Sequence, residues 1–386
     1  MSTFTTPNPI PATFLRGGTS KGIFINRAHL PPDRAHWDPI FLGIMGSPDA
    51  EYGRQLNGMG GGVSSLSKIC VVSSPTPEQA SSGIHAEYTF VQVGIRDKSI
   101  DYSGNCGNLS SMIGVYAVDE GIYAPSEVSD GRLTVRTFNT NTQKVIDTTF
   151  PVADNGFASL DEPQASVAGV PGLASTIILD FVNPGGARTG KLLPTGSPIE
   201  NLRITNPAFS ITSSCVDATN PTVFVSESEL RSCLPIDEYL DNQPAAQKEV
   251  GKILEAFRRR GAERMGLDPS AQAQPKIAMI SGPHTPDDIS RNVDIVINAL
   301  SMGVLHKAVP MTVGLCLGVA TGVRGTLAYD IVRRSREVTR STGEMIRIRH
   351  PGGLVDVGAD FDADGSVRNA KVVRTGRRLM KGVVWW

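Results

Sequence analysis

The stretch from Asp101 to Met112 places a single thiol, Cys106, between two Gly-Asn pairs at the point where a loop should become a helix. Gly104 and Gly107 allow the backbone to turn tightly and to approach a ligand closely. A thiol at a helix N-terminus faces unpaired N–H groups and the positive end of the helix dipole, so it ionises more readily than a free cysteine. The same N–H groups can bind a carboxylate. This stretch therefore predicts acid–base chemistry on an anionic substrate.

Lys68 is a second candidate for acid–base chemistry. It follows the glycine-rich run Gly58–Ser65 and precedes the apolar residues Ile69–Val72. The glycine run is not a dinucleotide-binding fingerprint, because Val63 stands where that pattern requires Gly or Ala. A lysine beside a buried strand can lose hydration and become a usable base. The alternative is a lysine whose stem covers apolar surface while its ammonium stays in water.

Two further segments carry residue types that bind anions. Arg16–Gly22 offers the flexible pair Gly17-Gly18, two hydroxyls and a lysine, which suit a carboxylate or phosphate; a simple hairpin turn with an exposed lysine is the alternative. His306 precedes a second apolar helix, and Thr312 lies near the start of that helix. Three roles are open for this histidine: a structural one, binding of a carboxylate, or relay of a proton.

Composition and spacing argue against several classes of protein. A formal net charge of −1 over 386 residues provides no basic field for nucleic acid. Five widely spaced cysteines and six histidines lack the spacing of a disulfide framework or a metal site. No apolar run approaches the roughly 20 residues of a membrane span, and residues 1–13 lack the features of a signal peptide. We expect a cytoplasmic protein without metal, membrane or nucleic-acid partners.

The elements that must position these residues follow from hydrophobic periodicity. Helical spacing after Cys106 predicts a helix to about Ala117, and the second half predicts an amphipathic helix over 245–265 and a buried one over Met311–Ala320. Short apolar runs between glycines and prolines predict many strands. These lie at residues 10–15, 22–26, 67–73, 86–95, 132–138, 145–151, 173–180, 199–204, 222–225, 276–281, 293–300, 344–349, 354–357 and 367–373.

These patterns predict an α+β fold of two similar domains, residues 1–186 and 187–386. Each domain is expected to be a strand-rich layer or barrel wrapped around a central helix. The boundary is placed near the glycine-rich segment Asn183–Gly190. The last strand of the chain is left free to return to the first domain.

Five motifs in chain order resemble those of one known family. They are Arg16-Gly-Gly-Thr-Ser-Lys-Gly22, Ser64-Ser-Leu-Ser-Lys-Ile69, Gly104-Asn-Cys-Gly-Asn108, Thr189-Gly-Lys-Leu-Leu-Pro-Thr-Gly196 and Met302-Gly-Val-Leu-His-Lys-Ala308. Over most of its length the chain resembles the PrpF family, which comprises 2-methylaconitate cis-trans isomerase and its relatives. The Cys-Gly-Asn step is also similar to the wider diaminopimelate-epimerase-like superfamily.

The resemblance implies a cofactor-free enzyme with that superfamily's fold. It implies isomerisation of an unsaturated di- or tricarboxylate such as 2-methylaconitate, aconitate, methylitaconate or 4-oxalomesaconate. It also implies a catalytic lysine and cysteine, which fall on Lys68 and Cys106. Epimerases of the superfamily carry a second cysteine where this chain has Pro310-Met-Thr312, and Cys316 lies a turn further on. That departure favours an isomerase over an epimerase.

The expected mechanism is proton abstraction to an allylic carbanion, rotation and reprotonation. Lys68 is the expected principal base, and Cys106 is its acid–base partner or a carboxylate-binding group, with reversed roles left open. The alternatives are a 4-oxalomesaconate tautomerase, a methylitaconate delta-isomerase and a non-catalytic accessory to an aconitase-like enzyme. Assembly into a homo-oligomer is also left open. The candidate carboxylate-binding residues are Thr19, Ser20, Lys21, Ser64, Ser65, Asn105, Gly107, Asn108, Lys191, His306 and Thr312.

Overall fold

The computed structural model describes residues 7–102, 104–125, 128–154, 156–205, 208–272, 274–301, 303–339 and 343–386. The chain forms two compact units. The first contains the chain up to Asp180 together with Val373–Trp386, and the second contains Phe181–Val372. The sequence-based boundary after residue 186 therefore lies a few residues too late, and the C-terminal residues belong to the first unit.

Hydrogen bonds explain why the glycine-rich segment after Asn183 belongs to the second unit. The N–H of Gly186 donates to the carbonyl of Asp217 at 2.7 Å. The Asp217 carboxylate accepts the N–H groups of Arg188 and Thr189 at 2.9 and 2.6 Å. Buried backbone groups need such partners, and here a strand of the second unit provides them.

Strands and short helices alternate along the first half of the chain. A 3-10 turn, Leu109–Met112, leads directly into the third helix. The elements are β1 (Ile10–Gly17), β2 (Ser20–Asn26), α1 (Trp37–Met45), β3 (Lys68–Ser73), α2 (Pro77–Ser81), β4 (Ala86–Val93), β5 (Ile100–Asp101), α3 (Ile113–Asp119), β6 (Arg132–Asn139), β7 (Lys144–Pro151), β8 (Ala165–Val167), β9 (Val170–Ala174) and β10 (Ile177–Val182).

The second half of the chain contains the longest helix, and its last strand belongs to the first unit. The elements are β11 (Glu200–Thr205), β12 (Ala208–Ala218), β13 (Asn220–Ser226), α4 (Glu227–Arg231), α5 (Ile236–Leu240), α6 (Pro244–Arg264), β14 (Lys276–Ser281), α7 (Pro286–Ser290), β15 (Ile295–Ser301), β16 (Val304–Leu305), α8 (Met311–Gly322), α9 (Leu327–Thr339), β17 (Ile346–His350), β18 (Gly353–Phe361), β19 (Val367–Arg374) and β20 (Gly376–Val384).

In the first unit a mixed sheet separates two layers. β1 pairs antiparallel with both β2 and β20, β2 pairs in parallel with β3, and β3 pairs antiparallel with β4. Ile23, Ile69 and Val91 lie on one face, in a buried cluster with Trp37 and Phe41 of the α1 layer. Because successive side chains point to opposite faces of a strand, their neighbours along β2, β3 and β4 point toward the other layer.

The central helix of the first unit lies in that other layer. The residues from Leu109 to Ala117 are all buried. A Cβ at Gly114 would lie 2.9 Å from Val135 and 3.1 Å from Phe150, so glycine allows β6 and β7 to pack closely on the helix. The predicted central helix is therefore present and enclosed.

The second unit repeats this arrangement. β11, β12 and β13 are antiparallel neighbours, β13 pairs in parallel with β14, and β14 pairs antiparallel with β15. Phe257 of α6 lies in a buried cluster with Val223 and Met279 of the sheet. α8 is the buried helix of this unit, and a Cβ at Gly318 would lie 2.9 Å from Val357 of β18.

The predicted α+β fold of two strand-rich units, each packed around a central helix, is confirmed. Each strand and helix predicted from the sequence has a counterpart in the structure, but α1, β12, α9 and β20 were missed, together with the shorter elements α2, β5, β8, β9, α4, α5, α7 and β16. β20 lacks a hydrophobic alternation because most of its side chains are exposed. No single helix in the described part of the chain is long and apolar enough to span a membrane; α8 and α9 meet that length and composition only as a pair bent by 74°.

Candidate active site

The β1–β2 hairpin brings two hydroxyls to the start of the central helix. Gly18 and Thr19 form its two-residue turn, and Gly18 has a φ of +49°, which favours glycine. The side-chain amide of Asn108 donates to Thr19 Oγ1 at 3.1 Å and to Ser20 Oγ at 3.4 Å. The Cys106 thiol donates to Ser20 Oγ at 3.8 Å. These four predicted site residues therefore form one cluster.

Glycines at the hairpin tip make this approach possible. A Cβ at Gly17 would lie 2.3 Å from the carbonyl oxygen of Asn108 and 2.7 Å from Ser111 Oγ. A Cβ at Gly18 would lie 2.3 Å from Asn108 Oδ1. None of these three distances is compatible with non-bonded contact. The Gly-Gly pair that the sequence suggested as a ligand loop therefore also has a packing role.

The loop that carries the thiol is held by the preceding asparagine. Asn105 Oδ1 accepts the Cys106 N–H at 2.8 Å, the Tyr88 hydroxyl at 3.1 Å and the Ser110 hydroxyl at 3.2 Å. The Ser110 N–H donates to the Cys106 carbonyl at 2.9 Å, and the single hydroxyl hydrogen of Ser110 is shared between Asn105 Oδ1 and the Cys106 carbonyl, which lies 3.0 Å from the hydroxyl oxygen. Within the described part of the chain, the N–H groups of Gly107 and Asn108 donate to no acceptor. They remain available to a bound anion.

Lys68 begins β3 on the face that looks toward the central helix. A Cβ at Gly22 of the neighbouring strand would lie 3.0 Å from the Lys68 carbonyl and 2.7 Å from Leu109 of the helix. Lys68 is only 8% exposed. Its Nζ is hydrogen-bonded to Gln92 Oε1 and lies 5.0 Å from the centre of the Phe90 ring. The predicted base is therefore a buried lysine with an uncharged hydrogen-bond partner.

Electrostatic effects connect Lys68 and Cys106 to two further groups. Burial raises the pKa of the Cys70 thiol well above its usual range; Cys106 adds to this shift and Lys68 opposes it. Burial lowers the pKa of Arg374 to about 10, and Cys106 opposes that shift. Cys70 thus lies within electrostatic reach of both predicted catalytic residues, and the Arg374 guanidinium lies within reach of the Cys106 thiol.

Gln92 and Arg374 are two site residues that the sequence analysis missed. Gln92 had a local signal, because it is a polar residue on the same face of β4 as Tyr88 and Phe90. Arg374 had none, because it comes from the far end of the chain. A Cβ at Gly18 would lie 3.2 Å from Arg374 Cδ, which places the arginine at the hairpin tip.

Three other predicted residues of the first unit have different positions. Ser64 and Ser65 lie in a 3-10 turn just before β3, and the Ser64 carbonyl accepts the Gln92 amide at 3.1 Å. Lys21 alternates with Ser20 along β2 and therefore points to the α1 layer. Its Nζ lies 5.6 Å from the centre of the Phe14 ring. The structure does not bring Lys21 to the Cys106 cluster.

The remaining predicted residues lie in the second unit. Lys191 is exposed, and its N–H donates to Thr189 Oγ1 at 3.4 Å. His306 is half-buried, and its Nδ1 accepts an N–H from its own loop at 3.1 Å. Thr312 is exposed at the start of α8, where its carbonyl accepts the Thr219 hydroxyl at 2.7 Å. Met302, the first residue of the last motif, lies outside the described residues.

Comparisons with known proteins agree with this architecture and these motifs. A family model described as "PrpF protein" matches residues 8–386. The chain is 33% identical to the 3-methylitaconate isomerase of Eubacterium barkeri, with 97% of each chain covered. It is 32% identical to the 2-methyl-aconitate isomerase of Shewanella oneidensis, with 97% of this chain and 96% of that one covered.

A solved structure is also similar over nearly the whole length. The crystal structure of methylitaconate-delta-isomerase has a TM-score of 0.83 and 32% identity, with 99% of this chain and 96% of that chain covered. The predicted family resemblance and the predicted enzyme class, isomerase, are confirmed by these relatives. The chain therefore belongs to the PrpF family and is an isomerase.

Proposed function

We propose that this protein isomerises an unsaturated tricarboxylate, 2-methylaconitate or aconitate, without a cofactor. The observation that carries the proposal is the setting of Lys68 and Cys106. Lys68 lies on the sheet face that looks toward the central helix and is bound to the Gln92 amide, while Cys106 lies before the helix start, close to the Ser20 hydroxyl and within electrostatic reach of Arg374. Relatives named for 2-methyl-aconitate and 3-methylitaconate support a substrate of this class.

The first step of the proposed reaction is removal of a proton from carbon. The reacting carbon lies next to a C=C bond and a carboxylate, so its deprotonation gives a carbanion delocalised over the allyl system. Lys68 in its amine form takes this proton. The negative charge that develops on the substrate carboxylate is stabilised by the N–H groups of Gly107 and Asn108 and by Arg374.

The second step returns a proton to the carbanion. The former double bond has single-bond character in the intermediate, so rotation followed by reprotonation at the original carbon gives the geometric isomer. Reprotonation at the other end of the allyl system gives the shifted alkene. Cys106 is the proposed acid–base partner or carboxylate-binding group in this step. The alternative assignment has Cys106 as the base and Lys68 as its partner.

The remaining polar groups are proposed to orient the substrate. Thr19, Ser20 and Asn108 hold one another through hydrogen bonds, which lowers the entropy lost when they bind a ligand. Asn105 stabilises the loop, because its oxygen already accepts three donors. We retain Ser64, Ser65, Lys191, His306 and Thr312 as proposed carboxylate-binding residues.

A substrate panel followed by NMR in D₂O tests the proposal. The purified protein is incubated with 2-methylaconitate, cis-aconitate, 3-methylitaconate and 4-oxalomesaconate. We expect turnover of 2-methylaconitate or aconitate with incorporation of solvent deuterium. Preferred turnover of one of the other two compounds would redirect the proposal to a methylitaconate delta-isomerase or an oxalomesaconate tautomerase. Binding of the panel without any turnover would contradict catalysis and indicate an accessory role.

Two variants test the assigned residues. Lys68→Ala and Cys106→Ala should each lower kcat by about 10²- to 10⁴-fold, the usual contribution of a positioned acid or base. The matched controls Lys98→Ala and Cys233→Ala remove the same side chains at exposed positions and should retain activity. Near-normal turnover by the Cys106 variant would contradict its assignment.

A further inference from the structure

The side-chain amide of Gln92 has a defined orientation. Its Nε2 donates to the Ser67 carbonyl at 2.9 Å and to the Ser64 carbonyl at 3.1 Å. Two acceptors on the nitrogen side prevent the amide from flipping, because a flip would place its oxygen against two carbonyl oxygens. The oxygen must therefore point away from the turn, and it accepts a hydrogen bond from Lys68 Nζ.

Strand pairing determines this contact. Lys68 and Gln92 are directly opposite partners in the antiparallel β3–β4 ladder, where facing side chains are close neighbours. The same amide joins the lysine to the 3-10 turn Ser64–Leu66. Gln92 thus connects Lys68, the start of β3 and the serine turn through three hydrogen bonds.

In the described part of the chain, the acceptor at Lys68 Nζ is the uncharged Gln92 amide, and no carboxylate lies at ion-pair distance. The titratable groups on the helix-facing side of this layer include the Cys70 thiol on β3, the Tyr88 hydroxyl on β4, the Cys106 thiol at the helix start and Arg374 at the hairpin tip, with Tyr116 and Glu120 toward the other end of the helix. Burial raises the pKa of Tyr88 above its usual range, so this phenol is neutral at pH 7.

We propose that Gln92 is a positioning residue that orients Lys68 through an uncharged acceptor and so leaves its amine form accessible for proton abstraction. This inference rests on the proposed function, in which Lys68 is the base. An amide oxygen accepts a hydrogen bond from an ammonium and from an amine alike. A carboxylate at the same place would favour the ammonium, which cannot accept a proton.

The nearly isosteric change Gln92→Glu tests this inference by adding a charge at the acceptor. NMR of protein labelled with [¹³Cε]lysine follows the ionisation of Lys68, whose signal is identified by its absence in Lys68→Met. An opposite charge at hydrogen-bond distance favours the charged form of a group and shifts its pKa by about one to three units. We therefore expect the titration midpoint of this signal to move up by at least about one pH unit.

The same variant should change turnover in a pH-dependent way. Because the base must be deprotonated, the rising limb of the kcat–pH profile moves to higher pH together with the lysine signal. At a pH below both midpoints kcat falls about tenfold for each unit of displacement, and it recovers at high pH. The matched control Gln143→Glu adds the same charge at an exposed turn and should change neither profile.

Several outcomes would overturn the inference. One is a lysine titration that is unchanged in Gln92→Glu. Another is a loss of kcat that is equal at every pH and is accompanied by a lower melting temperature, which would indicate a purely structural role. If Gln92→Glu fails to fold, Gln92→Met decides instead: it removes the acceptor without adding charge and should lower kcat about tenfold or more with little change in KM. An unchanged kcat would then contradict the inference.

The two readouts separate this inference from the proposed function. If the wild-type protein turns over none of the substrates but the lysine signal shifts in Gln92→Glu, the proposed function fails while the effect of Gln92 on Lys68 stands. If the wild-type protein is active and the signal does not shift, the proposed function stands and the inference fails.

Discussion

Replacing Gly17 with alanine tests whether the close approach of the β1–β2 hairpin to the central helix is needed for turnover. The new Cβ would lie 2.3 Å from the carbonyl oxygen of Asn108. That oxygen belongs to the backbone and cannot rotate away as the end of a flexible side chain would. The hairpin and the helix start must therefore separate, and Thr19 and Ser20 move away from Cys106 and Asn108.

The size of the effect follows from the distance. Non-bonded atoms are in favourable contact at about 3.5 Å, so the 2.3 Å separation must grow by about 1 Å. A displacement of about 1 Å at a site can cost about 10²-fold in rate. Overpacking of this kind also costs about 1–3 kcal/mol of stability. For a unit of this size each kcal/mol lowers the melting temperature by about 2–4 °C.

Two measurements on the Gly17→Ala variant test these numbers. The NMR isomerisation assay gives kcat, and thermal unfolding followed by circular dichroism gives the melting temperature. The matched control is Gly382→Ala, at a position of the same unit where a Cβ would meet nothing within 4 Å. Wild-type kcat and a melting temperature equal to that of the control would refute the reasoning, because the hairpin would then tolerate the added methyl without moving.

Two further predictions concern stability and thiol reactivity. In the wild-type protein the buried Arg258 guanidinium donates to the carbonyls of Pro269 and Ala271, both at 2.8 Å. Arg258→Met leaves these two carbonyls without that donor and should lower the free energy of unfolding by about 3 kcal/mol. Arg260→Met removes an exposed guanidinium and is the control; equal melting temperatures for the two variants would contradict this account. Iodoacetamide at pH 8 should modify the exposed and half-buried thiols before the buried ones, because the thiolate is the reactive form. Burial disfavours the thiolate and raises the pKa of Cys215 and of Cys316 to about 12. Peptide mass spectrometry should thus detect Cys233 and Cys106 first, and early modification of Cys70, Cys215 or Cys316 in the folded protein would contradict the prediction.

Local patterns were sufficient for most of the elements around the site. Strand β3 and the helix after Cys106 were predictable because their apolar residues recur with the period of a strand or helix that packs on a core. Glycine pairs marked the hairpin tip because few other residues adopt its backbone conformation. Residue types and their spacing were therefore enough to assign the motifs of the first unit to particular strands, turns and helices.

Local patterns failed where burial was decided by a distant part of the chain. The run Arg258-Arg-Arg260 has a composition typical of an exposed helix face, yet Arg258 is buried against a loop that follows the helix. Strand β20 carries three cationic residues and has no hydrophobic face of its own; its pairing with β1 determines its conformation. Neither contact has a signal in the flanking sequence.

By itself, the sequence determined the α+β class, the two glycine-framed loops and the chemical identity of Lys68 and Cys106. Only the tertiary structure decided that Lys21 points away from Ser20, that Gln92 supplies the acceptor for Lys68 and that Arg374 lies at the tip of the β1–β2 hairpin. The physical reason is that residue types and periodicity are local properties, whereas the neighbours of a buried charge depend on strand register and on which distant segments pack against it.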